Sequence, residues 1–331
     1  MVDERVMQIA DDAEAGRAPS RDDVLYLLDF DGYSVEAAYV CARARQIGER
    51  ACDGIGLIEG QIGVDANPCP ENCQYCSFAA VNSGVVDNGV SGENAFEVPL
   101  DEIVRYARML DSHNVHLISL MATAGLPFER YLEMVSAVRA AIADDMPILA
   151  NTRDLTLEEA RALKQAGATA AYHACRCGEG YVTGIPVEQR LQTIRNIREA
   201  GLPLMSGIEP LWLEVPHDEL ADRILEIPTF TPYSTGACGL SNVPGSQLPD
   251  FTPAPRAHIK YVAAIIRLVC GETVPFGSVG GAIWVDAGCD PRGRGKGSSE
   301  EWIARDIHRA RRELTQDGWR VPNRPDMAWF A

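Results

Sequence analysis

Gly54-Ile55-Gly56-Leu57-Ile58-Glu59-Gly60-Gln61-Ile62-Gly63-Val64, followed by Asn67-Pro68-Cys69-Pro70-Glu71-Asn72-Cys73-Gln74-Tyr75-Cys76-Ser77-Phe78, decides the reading of this chain. The first stretch is an apolar run that reads as a strand. The second is a loop that caps the strand's end. Its cysteines are spaced C-x3-C-x2-C, and three thiolates so placed can hold three corners of a [4Fe–4S] cubane. A cubane with four protein thiolates normally only carries electrons. One with three leaves an iron open, able to chelate a small molecule and pass it an electron. The competing reading is a structural zinc site or unrelated reduced thiols. Zinc knuckles prefer C-x2-C pairs with a second pair or a His partner further on. Here the next Cys-x-Cys, Cys175 and Cys177, lies about a hundred residues away. The spacing therefore favours the cluster.

Working outward, residues 1–53 read as a helical extension. Ser20-Arg21-Asp22-Asp23 starts a helix with Val24, Leu27 and Leu28 on one face, and a second runs from Val35 to about Cys52. Short apolar runs then alternate with helical segments. Strands are expected near 54–64, at 115–121, 147–151, 169–175 and 202–208, and near 229–235 and 274–285. Helices are expected at 99–112, 127–144, 156–166, 187–200, 217–226, 254–271 and 299–317. Gly167 and Gly201 sit just past helix ends, as a left-handed cap requires. Asp154 precedes a helix whose first turn carries Glu158 and Glu159, favourable to its dipole. Serial β-then-α units imply a parallel barrel or a doubly wound sheet. The candidate chemistry falls at strand C-terminal ends, which favours a (β/α) barrel, full or partial, of TIM type. The expected divisions are the extension at 1–53, the barrel at 54–298, and a helix with an extended, proline-bearing tail at 299–331.

The bulk numbers are those of a soluble globular protein, with 46% hydrophobic and 23% charged residues. A net charge of −17 argues against nucleic acid or an anionic membrane as partner. No apolar run approaches the roughly 20 residues that span a bilayer, and no signal peptide opens the chain. The ten cysteines form no small-domain disulfide framework. A reduced, low-oxygen cytoplasm is the expected setting.

The tripled cysteines with Tyr75 before the last resemble the radical S-adenosylmethionine (radical SAM) superfamily. Length, helical lead-in and early cysteine loop resemble its biotin synthase-like branch over about residues 20–300. The stretch Arg190-Leu191-Gln192-Thr193-Ile194-Arg195 through Gly207-Ile208-Glu209-Pro210 looks most like the [Fe]-hydrogenase-associated radical enzyme and the paired archaeal-type lipoyl synthases. Biotin synthase proper is disfavoured, because Met205 stands where it carries a cluster cysteine and Ile148-Leu149-Ala150-Asn151 has none.

The resemblance implies that S-adenosylmethionine chelates the open iron and is cleaved to a 5′-deoxyadenosyl radical. That radical abstracts hydrogen from a small-molecule or carrier-bound substrate. A low-potential donor, ferredoxin or flavodoxin, would supply the electron, and a paired radical SAM protein is a further expected partner. Cys69, Cys73 and Cys76 would bind the cluster, with Tyr75 beside them. Phe78 would stack near the adenine or pack the loop. Arg176 would fork a carboxylate and Glu179 would accept from ribose or ammonium, or the two would form a rim ion pair. Gly207 would let a flat base approach, Ile208 would pack on it, and Glu209 would meet cofactor or substrate or form a salt bridge. The usual Gly-Gly-Glu after the second strand is replaced by Met121-Ala122-Thr123-Ala124-Gly125, where backbone carbonyls at Ala122 and Thr123 would hold the methionyl ammonium.

Cys175, Cys177, Cys238 and Cys289 lie on or near strand ends and would hold a second, sulfur-supplying cluster if they face inward. Outward, they would pack as small hydrophobes. Arg176 would point away from Cys175 on a regular strand. The Gly-rich basic loop 285–297 would bind an anionic substrate group or cover the barrel mouth, and it lacks P-loop spacing. Three functions follow: cofactor assembly with lipoyl-type sulfur insertion, carbon-skeleton rearrangement or fragmentation without a second cluster, and a non-catalytic iron–sulfur scaffold.

Overall fold

The computed structural model describes residues 1–82, 95–241, 251–277, 282–286 and 299–323. The N-terminal extension is three helices: α1 (Glu4–Glu14), α2 (Arg21–Leu28) and α3 (Val35–Ala51). Asp3 caps the first, a Ser20/Asp23 capping box starts the second, and Ser34 caps the third. Their apolar faces, with Val6, Leu27, Val40 and Ile47 buried, share one core with α9 (Arg256–Cys270).

The alternating runs form β1 (Leu57–Gly63), α4 (Leu100–Ser112), β2 (Leu117–Met121), α5 (Phe128–Arg139), β3 (Ile148–Asn151), α6 (Leu157–Ala166), β4 (Ala170–Tyr172) and α7 (Val187–Glu199). The fifth expected strand is broken at Ser206-Gly207 into β5 (Leu204–Met205) and β6 (Ile208–Leu211). After α8 (His217–Glu226) the sixth expected strand keeps only its end as β7 (Ser234–Thr235), because Ile227–Phe230 form a 3-10 turn, and an unexpected short strand, β8 (Ala237–Gly239), follows. β6 and β8 pair with each other and form a small second sheet.

The expected last strand resolves into β9 (Phe276–Gly277) and β10 (Ala282–Asp286), which lie on opposite edges of the main sheet, in order β10-β1-β2-β3-β4-β5-β7-β9. All its pairings are parallel. A flat sheet of eight strands would be about 34 Å across at ~4.8 Å per strand. The five peptide steps from Gly277 to Ala282 reach at most about 18 Å. The sheet must therefore curl, giving a partial (β/α) barrel. Side chains alternate between its faces. A Cβ on Gly60 would stand 2.7 Å from Leu110 of α4, so residue 60 faces the helices, and Glu59 and Gln61 face the lumen.

α10 (Glu300–Gln316) leads into the tail. Arg320 pairs with the start of β1, accepting from Gly56 N–H at 2.8 Å and donating to Gly54 at 2.8 Å. His116 ties in the next residues. Its Nδ1 accepts from Ile58 N–H at 2.6 Å, and Nε2 lies 2.8 Å from the Pro322 carbonyl. This requires the neutral ring, and burial pulls the imidazole down from 6.5 to about 4. The unfolded chain therefore takes up a proton below about pH 6.5 that the fold excludes. The stabilisation is full above that pH and lost as pH falls toward 4, at ~1.4 kcal/mol per unit. Urea unfolding at pH 7 and pH 5 should show the native protein losing about 2 kcal/mol more than His116→Gln over that interval. Equal losses would contradict this assignment.

Candidate active site

A cleft of about 490 Å³ opens at the C-terminal ends of the strands. The loop after β1 enters it with all three of its cysteines, together with Tyr75 and Phe78. Local bonds fix the loop. Cys69 N–H donates to Phe78 at 2.6 Å, Ala80 N–H to Cys69 at 3.0 Å, and Cys76 N–H to Cys73 at 2.9 Å. Asn72 takes the left-handed conformation that Asn tolerates, and its side chain accepts from Val81 N–H. Asn82, 1% exposed, staples the far side by donating to the carbonyls of Gln74 and Cys76. Burial pushes the Cys73 thiol up to about 11, and Arg176 and Arg190 oppose that shift. Cys69 and Cys76 are raised for the same first reason.

The facing wall carries guanidinium groups. Arg176, beyond β4, gives its Nε to Glu209 Oε1 at 3.1 Å, and both line the cleft. Arg190 reaches in from α7, where it shares the buried stripe of Thr193, Ile194 and Ile197. Its Nε donates to Glu179 Oε1 at 3.0 Å and its Nη1 to Asp154 Oδ2 at 2.9 Å. Asp154 is a hub that also accepts from His173 Nε2 at 2.8 Å, Thr193 Oγ1 at 2.9 Å and Gln189 at 2.8 Å. These donors hold its carboxyl well below the usual range against the opposing effect of burial. Burial in turn lowers the His173 imidazole. On the near wall, Asp65 at the end of β1 accepts from the backbone and hydroxyl of Thr123.

The sequence-derived candidates divide by face. Ala122, Thr123, Arg176 and Glu209 line the cleft with the cysteine loop, as does Cys238, an exposed thiol. Glu179 does not; its side chain is fully buried against Arg190 and Thr183. Cys175 and Cys177 are absent from the cleft wall too. Arg223 of α8 donates to Cys175 Sγ at 2.8 Å, and Cys177 is packed in the core shared with Trp212 and Ile208. Gly207 borders a smaller cavity of about 70 Å³ under the cleft, and a Cβ there would stand 2.8 Å from the Gly236 carbonyl. Close strand approach therefore accounts for this glycine. Cys289, and the Gly-rich loop beyond Asp286, lie outside the described residues. Sequence reading missed Asp65, Asn82, Asp154, His173 and Arg190 as parts of the site.

The donor set fits a cluster with one open position. Three thiols come from one loop onto one cavity. The Tyr75 hydroxyl is buried beside them without a hydrogen-bond partner among the described residues, as a wall awaiting a ligand would be. No three His, Cys, Asp or Glu side chains among the described residues converge as ligands of a single ion.

Residues 66–224, just under half of the chain, match the Radical SAM superfamily model, which marks a radical SAM domain there. Curated biotin synthases are similar to it. That of Paracidovorax citrulli is 29% identical over 62% of this chain and 58% of its own length. That of Gloeobacter violaceus is 30% identical over 61% and 64%. The alignments thus span about three fifths of those relatives. Two solved structures share the fold. HydG, a maturase of the [FeFe]-hydrogenase, has a TM-score of 0.76 at 14% identity, covering 99% of this chain and 77% of its own. Methylornithine synthase (PylB) has 0.73 at 13%, covering 95% and 97%. These likenesses are consistent with a biotin synthase-like radical SAM branch, and the matched superfamily implies a [4Fe–4S] cluster and S-adenosylmethionine. No helix among the described residues is long and apolar enough to cross a membrane.

Proposed function

We propose that this protein reductively cleaves S-adenosylmethionine and uses the product to abstract hydrogen from an unactivated carbon in cofactor biosynthesis. The observation that carries this reading is the cleft itself: three thiols of one loop share it with the guanidinium groups of Arg176 and Arg190. When bound, the cluster supplies the electron that breaks the sulfonium bond to methionine and a 5′-deoxyadenosyl radical. Cys69, Cys73 and Cys76 would hold it. Arg176 has its Nε engaged by Glu209, which leaves its terminal fork for the methionyl carboxylate. Arg190 has Nε and Nη1 engaged, so it offers the same group a single nitrogen. The deep strand-end position limits water access to the reacting atoms. The substrate is a small molecule or a carrier-bound group, the electron donor a ferredoxin or flavodoxin, and the setting the cytoplasm.

Rearrangement or fragmentation with one cluster is favoured over lipoyl-type sulfur insertion, because Cys175 and Cys177 turn toward α8 and the outer core. Anaerobic reconstitution followed by dithionite and S-adenosylmethionine tests both levels. About four irons per chain and release of 5′-deoxyadenosine are expected. About eight irons would restore the sulfur-insertion reading. Iron without 5′-deoxyadenosine would leave a scaffold.

A further inference from the structure

Asp65 is 3% exposed, yet it lines the cleft. Its Oδ1 accepts from Thr123 N–H at 2.8 Å, and its Oδ2 from Thr123 Oγ1 at 2.6 Å and Asn67 N–H at 3.0 Å. Every one of these donors is neutral. Burial raises its carboxyl. A buried carboxylate is normally matched by a cation, because hydrogen bonds from neutral groups recover only part of its lost hydration. The other acids of the cleft differ. Glu209 pairs with Arg176, and Glu71 is partly solvated. The segment 121–125 has no acid of its own and is held against the cysteine loop, for a Cβ on Gly125 would stand 2.7 Å from the Pro68 carbonyl. Asp65 therefore sits beneath both walls, four residues before Cys69, while Arg176 and Arg190 occupy the far side. An amino acid presents a carboxylate and an N–H-rich, positively polarised amino group. The two walls of the cleft carry the complementary pair of charges.

We infer that Asp65 is the acceptor for the amino group of S-adenosylmethionine, an assignment that rests on the function proposed above. Thr123 and Asn67 orient its two oxygens, taking both sites of Oδ2 and one of Oδ1, and leave one lone pair on Oδ1 for the ligand. A charge-assisted hydrogen bond of this kind corresponds to roughly 10- to 100-fold in affinity.

The test measures dissociation constants by equilibrium dialysis on the cluster-loaded protein. The ligands are S-adenosylmethionine and its analogue with hydrogen in place of the amino group. The native protein should bind the analogue far more weakly. Asp65→Asn should bind S-adenosylmethionine roughly 10- to 100-fold more weakly and lose little further on removal of the amine. Unchanged binding by Asp65→Asn, or equal losses for both ligands, would overturn the assignment. Should the Asn variant not fold, Thr123→Val strips one neutral donor from the carboxylate. Retained or enlarged discrimination for the amine then supports the inference, and its disappearance overturns it. If native protein neither binds S-adenosylmethionine nor releases 5′-deoxyadenosine, the proposed function fails and the role of Asp65 falls with it.

Discussion

Cys73→Ala protein is expected to lose its iron and to release no more 5′-deoxyadenosine than an enzyme-free control. Cys73 is the middle thiol of the loop, and none of the described cysteines stands as a spare within it. Cys238 shares the cleft, but it arrives from β8, and Cys175 and Cys177 are committed to other packing. Losing an outer-shell partner of a metal site typically costs 10- to 100-fold in metal affinity or activity, so loss of a ligand should exceed about 100-fold. Iron and sulfide analysis with single-turnover product assay reads both effects. A variant with native iron content and native yield would remove the cluster from this loop.

The largest expected stability effect belongs to Arg190→Ala. That guanidinium is 4% exposed and lies between Glu179, at 0%, and Asp154, at 14%. Truncation leaves two largely buried carboxylates without their shared cation, with only hydrogen bonds such as those from Thr183 to Glu179 and from Thr193 and Gln189 to Asp154. Breaking a buried pair in this way costs about 3–5 kcal/mol. The cost should appear as a lower urea midpoint with little change in slope. S-adenosylmethionine binding should weaken as well, because the arm that faces the cleft is gone. Arg190→Lys keeps the charge but not the two-sided geometry, and should recover part of the stability and little of the binding. By contrast Arg176→Ala, whose one carboxylate partner is partly solvated at 28% exposure, should weaken binding with a smaller loss of stability. If Arg190→Ala proved as stable as the native chain, the buried network would not be a structural element.

The residues that were legible in sequence are those whose neighbours are local. The cysteine loop encodes its own geometry within fourteen residues, from Cys69 to Asn82, and the apolar runs announce β1 to β4 because each is buried on both faces. Helices with strong caps, such as α6 with its Thr156/Glu159 box, were placed within a residue of their ends. The run near 274–285 read as one strand because periodicity does not record which edge each half joins. Arg190, Asp154 and His173 stayed hidden because α7, the loop after β3 and β4 meet only once the sheet curls. One signal was present: an arginine on the same helix face as Ile194 and Ile197 needs a buried counter-charge. Glu179, expected at the cofactor, is that counter-charge. Asp65 offered a weaker sign, an acid directly after an apolar strand.

The seam where β10 lies beside β1 has a consequence for biosynthesis. Leu57 takes its neighbour from Ala282, and Gly56 takes its own from Arg320, so the first strand's outer edge stays bare until residues more than 200 positions further along have emerged. A nascent or truncated chain ending before that point exposes an apolar edge able to recruit foreign strands. Ribosomal synthesis of this protein therefore carries a late window of aggregation risk, and it shuts only when the C-terminal helix docks.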